Sequence, residues 1–435
     1  MSGGAWTGRK LHFIAIGGAG MSGLALVAHR LGASVTGSDR AESSYLDRLR
    51  AAGLEPVVGH DADLVPPDAE VVVSTAIGPD NPELATARER GQTELHRGAL
   101  LAELCAEGRL IAVAGTHGKT TTTGMIVHAL RELGADPTFF IGGELPGAGD
   151  GGAPANAGLG TGEWVVAEAD ESDGSFLELR PEVAVVTNVE LDHHARWSSR
   201  AELVRAFADF AGPAKGVVRG DDPTLDAVVP QGGAAVTFTA TEPGPAELAL
   251  SVPGRHNALN ARAALAAIGL AGMDVDGAAA ALQSFPGMLR RQELKGERSG
   301  ATIYDDYAHH PTEVRATLAA LRELKPERLI AVFQPHLYSR TKALASDFGA
   351  ALAAADEVGV LDVYAAREEP VGPLEGVSGL AVARAVADHG GGKRVMWLGD
   401  NETAARVLAP RLRDGDLLVT IGAGDIFKLA DELVA

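Results

Sequence analysis

A single cysteine, Cys105, stands in 435 residues, which rules out an intramolecular disulfide framework. The chain contains no apolar run of about 18 residues or more and no basic-then-apolar leader, so no stretch reads as a membrane span or a secretory signal. Positive charge is scarce: 38 Lys and Arg face 58 Asp and Glu, for a net charge of -20. A surface of that sign repels phosphate polymers and anionic lipid, which argues against nucleic-acid and membrane partners. A small anionic substrate stays open where a site is locally positive. Repeats at solenoid period are missing too. These absences predict a cytoplasmic protein in a reducing environment, and the sequence is compatible with a monomer or a homodimer alike. Cys105 lies in the apolar pattern of Leu100, Leu101 and Leu104 and reads as a buried structural thiol.

What is present is a globular composition, with 46% apolar and 22% charged residues. At about 100 to 200 residues per domain the length fits two or three domains. The pattern predicts three α/β domains, each with its own core: 1–107, Rossmann-like; 108–286, an ATPase-like α/β unit; and 287–435, again Rossmann-like. In the first, β-like runs such as Leu11 to Ile16 and Val71 to Ser74 alternate with helical stretches such as Met21 to Leu31 and Tyr45 to Ala52. The second opens with the apolar run Leu110 to Ala114, a glycine turn and a helical stretch from Lys119 to Leu133, then adds Trp164 to Ala167 and Val183 to Thr187. The third carries Leu329 to Phe333, Glu357 to Val363, Val395 to Leu398 and Asp416 to Ile421, separated by helical stretches. Residues 147–162, rich in glycine, alanine and proline, read as a surface loop.

Two glycine loops carry the chemistry. The first, Gly18-Ala19-Gly20-Met21-Ser22-Gly23, follows a strand and opens a helix, and Asp39 ends the next β-like run. Glycines there let backbone amides approach a diphosphate, and an acidic residue after the second strand can bind a ribose hydroxyl. The pattern alone permits NAD, FAD, a nucleotide sugar, or a packing turn with no ligand.

The second loop, Gly115-Thr116-His117-Gly118-Lys119-Thr120, also joins a strand to a helix, although Val113 occupies the place of the first glycine in the full phosphate-loop pattern. Gly115 and Gly118 can turn backbone amides toward phosphate, Lys119 can neutralise the β and γ oxygens, and the Thr120 hydroxyl can reach Mg²⁺. Four successive threonines, Thr120 to Thr123, follow the lysine, and ATP is the expected ligand. A second oxygen ligand for Mg²⁺ is expected from Glu168 at a strand end, while Glu171 and Asp173 read as a solvated acidic turn. The run Thr187 to His194 adds a second cluster, in which His193 reads equally as a metal ligand or a structural hydrogen-bonding group. His256, Asn257 and Asn260 open an alanine-rich helical stretch and, by residue type alone, read as a helix cap.

Taken with His256-Asn257-Ala258-Leu259-Asn260 and the run Asp305 to Glu313 (DDYAHHPTE), the first loop from Gly17, the second loop, and the run Glu168 to Phe176 (EADESDGSF) make five motifs in order. In these the chain resembles the Mur ligase family over essentially its whole length. The resemblance implies a UDP-sugar domain, a central ATPase domain and a C-terminal domain that closes over the nucleotide and holds an amino acid. It implies that Gly18, Ala19, Gly20, Met21, Ser22, Asp39, Asp170 and Ser172 bind the sugar nucleotide. By the same resemblance Gly115, Thr116, His117, Gly118, Lys119, Thr120 and Thr121 bind ATP phosphates, and His256, Asn257 and Asn260 lie at the adenine. Thr120, Glu168 and His193 resemble the ligands of two Mg²⁺ ions.

Many relatives read Phe-Gln-Pro-His-Arg-Tyr-Thr-Arg, with two arginines for the amino-acid carboxylate, where this chain has Phe333-Gln334-Pro335-His336-Leu337-Tyr338-Ser339-Arg340. Leucine cannot bind a carboxylate, so Arg340 is expected to act alone or with Tyr307 or His309. The related ligases that add later residues have a carbamylated lysine beyond the histidine motif, and Arg196 to Ala214 contains no lysine. The implied reaction therefore joins L-alanine to UDP-N-acetylmuramate through an acyl phosphate, with Lys119, His193, His309 and Arg340 as catalytic residues and His309 as a proton acceptor titrating near working pH. The alternatives weighed are a ligase that recycles murein tripeptide, a folylpolyglutamate synthase, an NAD-dependent oxidoreductase built on the first loop, and a non-catalytic nucleotide-binding regulator.

Overall fold

A computed structural model describes residues 4–191, 196–239, 248–366 and 368–435. The first region runs β1 (Lys10–Ile14), α1 (Ala19–Arg30), β2 (Ser34–Asp39), α2 (Ser44–Ala51), β3 (Val57–Val58), β4 (Glu70–Val73), α3 (Pro82–Glu89), β5 (Glu94–His96) and α4 (Arg97–Cys105). Its sheet, in order β3-β2-β1-β4-β5, is parallel throughout, so the loops leaving β1 and β2 share the carboxyl edge. In such a sheet ligands settle in the crevice beyond the strand ends.

The second region contains β6 (Arg109–Ala114), α5 (Lys119–Glu132), β7 (Thr138–Leu145), β8 (Ala155–Gly158), β9 (Trp164–Glu168), β10 (Val183–Val186), α6 (Arg200–Ala211), β11 (Gly216–Gly220), β12 (Ala234–Phe238), α7 (Arg255–Leu270) and α8 (Val275–Leu282). The order is β12-β11-β10-β6-β9-β7-β8. Central β6 and β10 are almost wholly buried, as their unbroken apolar sequences require of parallel strands covered on both faces. The register pairs Val113 with Glu168 and Ala114 with Val186, which brings the ends of β6, β9 and β10 level.

One expectation fails here. Residues 147–162 are not simply a surface loop: within them β8 is buried at all four positions and pairs antiparallel with β7. The run consists of small residues because α1 packs directly on it. A Cβ on Gly23 would lie 2.7 Å from the Cβ of Ala157, so neither position has room for a larger side chain.

The third region comprises β13 (Glu293–Arg298), β14 (Ala301–Asp306), α9 (Pro311–Glu323), β15 (Arg328–Phe333), α10 (Tyr338–Leu352), β16 (Glu357–Leu361), α11 (Gly379–His389), β17 (Arg394–Gly399), α12 (Asn401–Leu408), β18 (Asp416–Ile421) and α13 (Phe427–Val434). Its sheet is ordered β13-β14-β18-β15-β16-β17, parallel except at β13. All four strands expected from its apolar runs are found.

The chain divides into two compact units, residues 1–250 with 258–286, and residues 251–257 with 287–435. The first two sheets share one contiguous core cluster, while Ile14, Val65, Val71, Leu84 and Ala87 pack as a separate cluster within the first region. The shared cluster runs from Leu11, Leu24 and Leu100 through the 2%-exposed Cys105 to Leu110, Val186 and Phe207. Burial drives the Cys105 thiol far upward, which makes it an inert packing residue as its sequence context predicts. Among the described residues no helix is long and apolar enough to cross a membrane.

Candidate active site

The second glycine loop is fixed from beneath by the segment after β10. Gly115 has φ +121°, and a Cβ there would lie 2.2 Å from the Thr187 hydroxyl, so only glycine lets the loop seat on this segment. Thr187 Oγ1 donates to the carbonyl of His117 at 2.6 Å, and the carboxamide of Asn188 both accepts from His117 N–H at 2.9 Å and donates to its carbonyl at 2.9 Å. Thr116 Oγ1 exchanges hydrogen bonds with the Glu190 backbone, and the His117 ring meets the Glu190 carboxylate at 2.8 Å. Gly118, at φ +82°, caps α5 without a side chain, which leaves the first-turn amides and the helix dipole facing the loop. Asn260 packs against it, since a Cβ on Gly118 would fall 2.4 Å from Asn260 Oδ1.

Lys119 folds back over the loop. Its ammonium donates to the carbonyls of Gly115 at 2.7 Å and Thr116 at 3.2 Å and forms an ion pair with Glu171 at 2.8 Å. Burial disfavours that charge, but the negative charges of Glu171, Asp170 and Glu168 outweigh it and hold the lysine pKa above its ordinary value. Glu171 is itself 1% exposed, which corrects its reading as part of a solvated turn. The reason is long-range: a buried lysine needs a partner, and the turn after β9 delivers this carboxylate while the Trp197 indole donates to the Glu171 carbonyl at 3.0 Å. Thr120 Oγ1 donates to Glu168 Oε1 at 3.0 Å, and Gly142 N–H donates to Glu168 Oε2 at 2.6 Å, so the two expected metal ligands do meet. Thr121 is buried on the same helix. His193 lies outside the described residues.

The first glycine loop is built differently. Gly18 caps α1, and Ala19, Gly20 and Met21 form its first turn, with Met21 and Ser22 buried. No side chain caps that turn, and no acidic residue lies in it. Asp39 reaches back from the end of β2 and accepts the Gly17 N–H at 2.8 Å, so its carboxylate already shapes the loop. Ser22 Oγ donates to the Ala19 carbonyl at 3.1 Å, and the Asn156 amide from β8 donates to that carbonyl too. Beside this loop stands Arg97, whose Nη2 pairs with Asp173 at 2.7 Å and lies 3.5 Å from Asp170. Asp170 also accepts from Ser172 N–H at 3.0 Å and Oγ at 2.8 Å.

In the other compact unit, Tyr307 and His309 pack edge to face with ring centroids 5.4 Å apart, and the guanidinium groups of Arg290 and Arg291 each lie 4.9 Å from the Tyr307 ring. Burial, aided by the positive charges of Arg340 and Arg291, pushes His309 down to about 4. The expected titration near working pH is therefore corrected: the ring is neutral there. Arg340 sits in the first turn of α10, and Leu337, its N-cap, holds a left-handed φ of +67°. His256 is likewise pushed down to about 4 by burial, and it contacts the Gln292 amide at 3.2 Å. Asn257 donates to Pro253 O at 2.8 Å and to Gln292 Oε1 at 3.1 Å. Sequence reading missed Arg97 and Gln292, whose partners lie 76 and 35 positions away.

Three family models match the chain: "Mur ligase family, catalytic domain" over residues 10–109, "Mur ligase middle domain" over 113–242 and "Mur ligase, glutamate ligase domain" over 290–424. Similar proteins include the UDP-N-acetylmuramate–L-alanine ligases of Mycolicibacterium vanbaalenii, 46% identical over 98% of this chain and 96% of that one, and of Rubrobacter xylanophilus, 45% identical over 98% and 99%. The crystal structure of UDP-N-acetylmuramate-alanine ligase from Thermotoga maritima superposes with a TM-score of 0.83 at 29% identity, covering 98% of each chain.

Proposed function

The chain belongs to the Mur ligase family, and we propose that it joins L-alanine to UDP-N-acetylmuramate with ATP, in cytoplasmic synthesis of the peptidoglycan precursor that supports cell shape and division. The observation that carries this reading is the second loop, where Lys119 and the Thr120–Glu168 pair converge at the ends of β6 and β9. A carboxylate is a poor electrophile, and transfer of the γ-phosphoryl group to it makes an acyl phosphate from which phosphate can leave. In this reading the amides of Gly115 to Thr121 cradle the phosphates, and Lys119 exchanges Glu171 for the γ oxygens and offsets charge as the carboxylate attacks.

Thr120 and Glu168 fit Mg²⁺ because they bring a hydroxyl and a carboxylate, both hard oxygen donors, within 3.0 Å of each other. Bound there, with His193 as a further ligand, the ion would neutralise phosphate charge. Asn260 and the His256–Asn257 pair serve the adenine, the 1–107 domain the sugar nucleotide, and the 287–435 domain the amino acid. Arg340 and Tyr307 hold the alanine carboxylate. His309, neutral at working pH, is able to accept a proton from the attacking amine but is a weak base.

The test is phosphate release from ATP and Mg²⁺, with UDP-N-acetylmuramate and L-alanine given separately and then together. Release that needs both, with a product one alanyl residue heavier, supports the reading. Release with a tripeptide but not with alanine would move it to murein recycling, and NADH binding without release would move it to an oxidoreductase.

A further inference from the structure

Backbone amides at the first glycine loop can meet the diphosphate of the substrate proposed above, but the segment from Ala15 to Gly23 contains no lysine or arginine to offset its charge. Arg97 is the first residue of α4, where the helix dipole disfavours a positive charge, so its placement is not explained by helix stability. A Cβ on Gly20 would lie 3.3 Å from Arg97 Nη1, which puts the guanidinium against the first turn of α1. Its other nitrogen is held by Asp173 at 2.7 Å and lies 3.5 Å from the half-exposed Asp170. The backbone fixes that position firmly, since α4 approaches the turn at Ser175 so closely that a Cβ on Gly98 would fall 2.2 Å from the Ser175 Cβ.

We propose that Arg97 binds the diphosphate of the sugar nucleotide at the first glycine loop through Nη1, while Asp173 and Asp170 face its Nη2. A guanidinium presents several donors in a fixed fork, so it can keep Asp173 on one nitrogen and meet a phosphate oxygen with the other. This assignment rests on the proposed reaction and adds to it the residue that makes an otherwise acidic protein locally positive where its substrate lands.

The competing role is a plain clasp that fastens α4 to the acidic turn. Calorimetric titration of UDP-N-acetylmuramate and of UDP separates the two, using the wild type, Arg97→Ala, Arg97→Lys and Asp173→Asn, with thermal melts to check folding. Wild-type binding is the control: its failure would count against the proposed function rather than against Arg97. With that control met, Arg97→Ala should weaken both ligands by about tenfold or more, a loss in line with a charge-assisted hydrogen bond. Arg97→Lys should fall between, and the KM for ATP should stay within about twofold. Asp173→Asn, which frees the guanidinium, should bind as tightly as wild type or tighter. Equal binding by wild type and Arg97→Ala would overturn the proposal, as would Asp173→Asn weakening binding as much as Arg97→Ala. Weakened UDP-N-acetylmuramate with unchanged UDP would overturn the diphosphate assignment. Should Arg97→Ala fail to fold, Arg97→Lys and Asp173→Asn still differ in sign between the two roles.

Discussion

The two glycine loops follow the same strand–turn–helix plan and reach different ends. The second carries its own cation, pins every turn of backbone to the Thr187–Glu190 segment, and buries a lysine against a carboxylate. The first has no cation of its own; it is shaped by Asp39 and by the Asn156 amide of β8, and its nearby guanidinium comes from α4. One loop is a cradle pinned by hydrogen bonds and suited to moving a phosphoryl group. The other is an open platform suited to holding a diphosphate that does not react. The glycine pattern is common to both, and the side chains brought in from elsewhere in the chain make the difference.

The largest expected effect breaks the second loop alone. Lys119→Met should lower phosphoryl transfer by about a hundredfold or more, as removal of a preorganised electrostatic group does. It should also cost about 3 to 5 kcal/mol of stability, because Glu171 is left buried without its partner. The double variant Lys119→Met, Glu171→Gln should recover most of that stability in denaturant titrations while remaining inactive.

A pH series sharpens the contrast from the other compact unit, which serves as a control for both loops. His309 has a folded pKa of about 4 against about 6.5 when unfolded, so between those values the unfolded chain binds the extra proton. Its stability contribution is complete above about 6.5 and is lost as pH falls toward about 4, at roughly 1.4 kcal/mol per pH unit. His309→Gln should flatten that slope in urea titrations at pH 7, 5.5 and 4.5; an unchanged slope would show the ring is not held neutral.

Gly115→Ala should cost about 1 to 3 kcal/mol from its left-handed backbone, with more from the approach to Thr187. Gly18→Ala, where φ is -71° and the nearest atom would be 3.5 Å away, should melt close to wild type. Equal melting shifts would erase the distinction between a pinned and an open loop. Asp39→Ala is expected to cost no more than Gly115→Ala, about 1 to 3 kcal/mol through the lost charge-assisted bond to Gly17, and to raise KM for the sugar nucleotide while leaving that for ATP alone.

Much of this was legible in the residues themselves. The buried parallel strands announce themselves as unbroken apolar runs such as Leu110 to Ala114, and Lys119 with its threonines marks its own loop. β8 was hidden because Ala155 to Gly158 has the composition of a loop, and only the packing of Gly23 on Ala157 explains why small residues belong in a strand there. Glu171 and Asp173 look alike in sequence, yet one pairs with Lys119 and the other with Arg97, and nothing local to the turn distinguishes them. The shared core of the first two sheets was equally invisible, since periodicity shows that a face is apolar but not what covers it.

If the two loops hold their ligands at once, the deciding measurement is calorimetric binding of UDP-N-acetylmuramate to the wild type with and without a saturating non-hydrolysable ATP analogue, and to Lys119→Met without the analogue. The expected result is no displacement from the wild type by the analogue and binding to Lys119→Met within about twofold of wild type. Competition between the two ligands, or loss of sugar-nucleotide binding in Lys119→Met, would contradict it.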